Sequence, residues 1–215
     1  MEIAKLILEY IKTLIWPATV IIILIIFRTQ VISLFGRLKK ADFPGGISIE
    51  TFPEQIKEAR ELSIEVRKEK EMDKEKKDRP SIPLTDANAK MLNFGLQPSP
   101  TGLELSHYRI LAEQDPNLAL AGLRMEVEIM LKNLSKGFRV SLGKRDSAGI
   151  IIRKLEEKEA ITSRQAKLVG AVIQLCNAAV HGTKVLSSQA DEILDIVEML
   201  RDDYVSWLSW GFRDN

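Results

Sequence analysis

The chain has 215 residues, 31 basic and 30 acidic, with a net charge of +1, so no global field argues for nucleic acid as a partner. Cys176 is the only cysteine, and His107 and His181 are the only histidines. That excludes an intramolecular disulfide framework, a cysteine-cluster metal site and a histidine-rich metal centre, and no cofactor is expected.

Residues 13–27 carry no charge, and Val20 to Phe27 shows no polar stripe. This run is shorter than the roughly 20 residues a bilayer core needs. The apolar pattern extends it, however, through Leu6, Ile7, Leu8 and Ile11 on one side and Val31, Ile32, Leu34 and Phe35 on the other. Lys12 and Arg28 are long enough to snorkel toward headgroups. The expectation is a single-pass transmembrane helix over about residues 10–32, inside an anchor at 1–36, with Tyr10 and Trp16 in the interfacial belt. A secretory signal peptide is the rival reading. Glu2 and Glu9 dilute its basic region, and the stretch after Arg28 is no small-residue cleavage site. Arg28, Arg37, Lys39 and Lys40 outnumber Lys5 and Lys12. The N-terminus should therefore face out of a bacterial inner (cytoplasmic) membrane, with the rest of the chain cytoplasmic and membrane lipid as a first partner.

Residues 37–53 hold the turn signal Pro44-Gly45-Gly46 and the alternation of Ile47, Ile49 and Thr51 with Ser48 and Glu50, a short strand pattern. Residues 54–79 contain nine basic and nine acidic side chains, with Ile56, Ala59, Leu62 and Val66 at helical spacing. They read as a solvated stalk helix acting as a spacer. Residues 80–102 are rich in Pro and Gly and read as a linker, with Met91, Leu92 and Phe94 as a docking patch.

From 103 to 215 the pattern is helical. A short helix over Leu105–Gln114 precedes Asp115-Pro116, an N-cap and a proline at the first helical position. A long apolar face then runs from Leu118 to Leu134, with Gly137 as the stop. After a loop at 143–146, Ile150 to Leu155 marks a third helix. Thr162 or Ser163 caps a fourth that ends at Gly182, and Ser187 or Ser188 caps a fifth through Leu208. The expected fold class is all-α: an N-terminal transmembrane helix, a charged stalk helix and a C-terminal antiparallel helical bundle.

One cluster could carry chemistry. In Cys176-Asn177-Ala178-Ala179-Val180-His181-Gly182, Asn177 and His181 are four apart and share a face at a helix C-terminus. The helix dipole there favours a protonated imidazole. The simpler reading is a satisfied structural histidine. Cys176 reads as a small core residue, because His181 lies too far round the helical wheel to serve as its base. Arg124, Glu126 and Glu128 read as structural or solvated charges, and His107 as a surface residue.

The run Asp115 to Leu131, the later Leu155-Glu-Glu-Lys-Glu-Ala-Ile, the helix ending in Asn-x-x-x-His and the long final helix resemble the HEPN superfamily over about residues 103–212. Many HEPN proteins are metal-independent ribonucleases. Their signature is an Arg, usually followed by Asn or another polar residue, with a His at the end of the same helix. Paired across a dimer, the Arg binds phosphate oxygens and the His moves a proton. The resemblance makes Asn177 and His181 the candidate catalytic and binding residues. The family's Arg position holds Cys176, and a thiol offers no charged fork to phosphate. Arg124 and Arg164 are the cations that would substitute. The resemblance therefore implies a binding or interaction module with a degenerate nuclease motif. It would work as a homodimer with a partner protein or RNA, in a bacterial defence or stress system. Trp207 and Trp210 would add apolar interface near the chain end. The alternatives are a membrane-tethered ribonuclease using His181 and Asn177, and a structural membrane adaptor that touches no nucleic acid.

Overall fold

The computed structural model describes residues 51–72 and 82–210, and within them the chain forms seven helices and no strand. They are α1 (Phe52–Met72), α2 (Leu84–Asn93), α3 (Ser106–Gln114), α4 (Pro116–Gly137), α5 (Ala148–Glu157), α6 (Ser163–Val180) and α7 (Ser187–Trp210). The all-α expectation agrees with this. The expected transmembrane helix does not: among the described residues no helix is long and apolar enough to cross a membrane. For the described residues the fold class is therefore corrected to a helical bundle without a spanning helix. The stretch on which the anchor and the 47–51 strand were placed lies outside the described residues, apart from Thr51.

Local chemistry sets the helix ends. Asp115 caps α4 by accepting the Leu118 N–H at 3.0 Å, with Pro116 in the first turn. Thr162 and Gln165 cap α6 reciprocally, at 3.2 Å and 2.9 Å. Ser187 and Ser188, the two expected caps, are the first residues of α7, and the preceding Leu186 N–H donates to Gln189 Oε1 at 2.9 Å. Four helices stop in one manner. A left-handed residue follows the cap, and the next N–H reaches back to the carbonyl of the last turn: Leu96 to Met91, Val140 to Ser135, Ala160 to Leu155 and Thr183 to Ala178. Gly95 and Gly182 take the left-handed position in α2 and α6, whereas Arg139 and Glu159 take it in α4 and α5. Gly137, expected to stop α4, is its last helical residue.

The core lies between α4, α6 and α7, with Leu120, Leu123, Leu168, Val172, Leu175 and Ile193 among its buried members. The segment expected as a solvated stalk is packed on this core. Helix α1 buries Ile56, Ala59 and Val66. Its charged face is paired: Arg164 of α6 lies 3.3 Å from Glu69, Arg60 lies 3.8 Å from Glu192, and Lys70 pairs with Asp203. The stripe at Ile56, Ala59 and Val66 was legible; that it is covered by protein was not.

The segment expected as a linker is likewise fixed. It contains α2, whose Ala87 and Met91 are fully buried. Asn88 brackets Ser99, accepting its N–H at 2.9 Å and donating to its carbonyl at 3.1 Å. Asn133 of α4 does the same for Gln97, at 2.9 Å and 2.8 Å, and donates to Tyr204 Oη at 2.9 Å. Glu126, with no exposed surface, accepts from the Thr101 N–H, the Thr101 hydroxyl and Tyr108 Oη at 3.1, 2.8 and 3.1 Å. Burial, and then the Glu126 charge, push the Tyr108 phenol well above its ordinary range. Tyr108 reaches Glu126 across Gly122, where a Cβ would overlap its ring. A glycine inside a helical pattern usually has such a packing reason.

Two outcomes follow from this polar framework. Asn133→Ala strands the Gln97 N–H and the Tyr204 hydroxyl, each at about 1–3 kcal/mol when buried, and should lower unfolding free energy by roughly 2–4 kcal/mol in urea titration. Gly122→Ala should also destabilise, although alanine favours an unencumbered helix by about 1 kcal/mol. A neutral or stabilising result would show that Tyr108 moves aside freely.

Candidate functional site

The candidate residues gather at the C-terminus of α6, where Leu168, Val172, Leu175, Cys176 and Ala179 turn inward. Gln174 and His181 lie on the exposed side, with Gly170, Asn177 and Ala178 half-buried. His181 is the cap residue, its N–H bonded to the Asn177 carbonyl at 2.9 Å. Among the described residues, the side chains of Asn177 and His181 make no hydrogen bond to each other or elsewhere. Asn177 Oδ1 is nonetheless shielded from solvent, one of few buried polar atoms without a partner.

A side chain not singled out in the sequence holds this helix end in place. Asn117, in the first turn of α4, donates to the carbonyls of Ala179 and Thr183 at 2.8 Å and 2.7 Å and accepts the Val185 N–H at 3.3 Å. One amide thus satisfies backbone groups that the C-terminus of α6 leaves open. The only hint in the sequence was an Asn beside Pro116, with nothing to show that it would act some sixty residues away.

The other candidates separate. Cys176 has no exposed surface, and burial pushes its thiol up to about 12, against a smaller opposing effect from the Arg124 charge. An arginine at this position would enter the core, so the degenerate motif differs in more than a missing guanidinium. Arg124 is half-buried on α4 and pairs with Glu128 at 2.9 Å. Arg164 opens α6, paired with α1, and stands about 25 Å along the helix from His181. It does not join the site. Glu126 proves to be a structural acceptor. His107 is exposed, edge-on to Tyr108 at 5.7 Å.

Large apolar side chains are exposed on the same two helices. Leu118 and Met125, seven residues apart on α4, are 56% and 57% exposed, and Val180 is 46% exposed. Because Asn117 ties α4 to α6, Leu118 sits at the same end as Val180 and His181. Trp207 does not contribute to such a surface: it is buried, stacked on Phe138 at 5.0 Å. A cavity of about 360 Å³, lined by residues that include Leu131, Val169 and Trp207, involves neither Asn177 nor His181. Among the described residues no group of acidic, Cys or His side chains is arranged to hold a metal ion.

Comparison with family models, with curated proteins and with solved structures gives no match to this chain. The HEPN resemblance therefore rests on the motifs alone.

Burial makes a direct statement about Cys176. A thiolate is the reactive form, and here it is disfavoured at neutral pH. In the folded protein at pH 8, Cys176 should resist a chromogenic disulfide reagent and react within seconds once denaturant is added. Prompt labelling without denaturant would mean that α6 opens readily.

Proposed function

We propose that this chain is a helical interaction module that acts by binding through the outward face of α4 and α6, with a second copy of itself as the first partner. The observation that carries this reading is Asn177. Its Oδ1 is buried without a donor among the described residues, a condition that costs about 1–3 kcal/mol. Exposed Val180 lies one turn away on the same helix. The oxygen is shielded inside one copy, so a second copy pairs with it only by turning the Asn177 amide outward on docking, where two amides near a two-fold axis can donate to each other. Leu118, Met125 and Val180 would supply the apolar contact around it. The HEPN resemblance adds the suggestion of a defence or stress-response role, with a partner protein or RNA bound to the paired face.

Cleavage of RNA by Asn177 and His181 is the second reading, and Arg124 is what favours it, since its charge reaches the Cys176 thiol. Against it, that guanidinium is already engaged by Glu128. A transition-state cation must be aimed at developing charge to contribute several kcal/mol.

Sedimentation of the protein at about 50 µM should give a dimer, and Met125→Glu with Val180→Glu should return it to a monomer with its helical content unchanged, since a stable pair needs roughly 800 Å² per partner and tolerates no unpaired charge at its centre. A monomer at that concentration would refute the reading. Purified protein should not cleave RNA in the presence of a chelator. Cleavage that is lost in a folded His181→Ala variant would promote the second reading.

A further inference from the structure

The net charge of +1 conceals a separation of sign along the chain. Between Lys132 and Lys154 there are seven basic residues and one acid, Asp146; within α7 there are six acids and one base, Arg201. The acids of α7 are largely consumed inside the protein. Arg109 of α3 binds Asp195 at 2.6 Å and Glu198 at 2.9 Å, with Asp191 at 3.8 Å, and Lys70 takes Asp203. In the basic stretch Lys136 and Lys154 are engaged by Gly95 and Asp146, whereas Lys144 and Arg145 are paired with no carboxylate among the described residues.

Its centre is the tight turn Gly143-Lys144-Arg145-Asp146 that joins α4 to α5. Asp146 closes the turn by accepting the Gly143 N–H at 2.9 Å, while the Asp146 N–H returns to the Gly143 carbonyl at 3.2 Å. Lys154 of α5 binds the same Asp146 oxygen at 2.7 Å and the Ser141 carbonyl at 2.9 Å. The Lys154 ammonium, and then the Gly143 N–H, hold the Asp146 carboxyl below the usual carboxylate range. The one acid in the stretch is thus occupied by its own turn. Lys144 and Arg145, at the two central positions, are exposed, and among the described residues no carboxylate lies within ion-pair distance of either. Arg153, next to Lys154, is 69% exposed and only loosely paired with Glu157 at 3.6 Å. A braced turn therefore presents two adjacent cations, and the helix that follows it carries a third exposed one, Arg153.

We propose that this turn is a docking surface for the phosphodiester backbone of a nucleic-acid duplex, bound without regard to sequence. The kind of partner follows from what the patch contains and what it lacks. Fixed cations at a turn tip match phosphates spaced along a polyanion, each releasing counterions when neutralised. No large apolar side chain is exposed between residues 126 and 179. The patch thus has no exposed aromatic on which unpaired bases would stack, as single-strand binders use, and no apolar wedge to enter a lipid interface. Backbone contacts without base contacts suit RNA and DNA duplexes alike. The surface is separate from the α4–α6 face and does not depend on the reading of it.

The test uses the full-length protein with labelled 20-base-pair RNA and DNA duplexes, the matching single strands and anionic phosphatidylglycerol vesicles. In fluorescence anisotropy at 50 mM salt, both duplexes should bind below 100 µM. Neutralising about three phosphates should weaken binding about 40-fold at 200 mM salt. K144E/R145E should bind at least tenfold more weakly with its thermal midpoint unchanged, because both side chains stand in solvent. Arg153→Glu should give a smaller loss in the same direction. The proposal fails if neither duplex binds at 50 mM salt, or if K144E/R145E binds them as the wild type does. It also fails if the single strands bind more tightly than the duplexes, or if the substitutions alter only binding to vesicles.

Discussion

Two polar side chains seven residues apart on α4, Glu126 and Asn133, set the constraint on which the rest of the bundle depends. Both are buried on the face that α4 turns inward. A carboxylate and an amide there cost several kcal/mol each unless they are hydrogen-bonded, and Glu126 meets its partners through Oε1. The partners come from the irregular chain between α2 and α3, from the start of α3 and from α7. Placing α4 therefore fixes the 95–105 loop, the tyrosine of α3 and the last turns of α7 together. Apolar burial holds the helices near one another, but it is non-directional. The buried acceptors decide the register.

The same helix governs the candidate site at its other end, through Asn117. Its N-terminal half carries Leu118 and Met125 outward and Leu120 and Leu123 inward. One element thus supplies core, polar framework and outward face. The charge economy has a similar division. Acids on α7 are used to clamp α1 and α3, whereas Lys144 and Arg145 in the α4–α5 connection stand in solvent. A near-zero sum is a poor guide to what such a surface attracts.

Much of this was legible from periodicity and cap chemistry. The boundaries of α4 and α6 to within a residue or two, a cap at Thr162 or Ser163 and the buried state of Cys176 follow from local rules that tertiary context did not override. What was missed lies where a local signal has a distant meaning. The charges on α1 look like solvation until Asp203, Glu192 and Arg164 are seen opposite them. The Pro and Gly residues near 95–102 mark turns correctly, yet turn chemistry does not say whether a loop is loose or held. That was decided by Asn88, Asn133 and Glu126, and by the Gly122 gap into which Tyr108 fits. At the candidate site, the order of Asn177 and His181 along α6 was readable. Their separation by burial from Cys176, and from the pairing of Arg124 with Glu128, was not.

The last turn of a helix is ordinarily the first to fray, and its side chains blur accordingly. At the end of α6 that freedom is removed by an amide 62 and 66 positions earlier in the chain, where Asn117 grips Ala179 and Thr183. Loosening the His181 turn means loosening the first turn of α4 as well, and with it the seat of Leu118. The imidazole and the apolar face thus belong to one cooperative unit. A partner that seats against Leu118 would, through Asn117, steady the backbone that carries His181 without touching it.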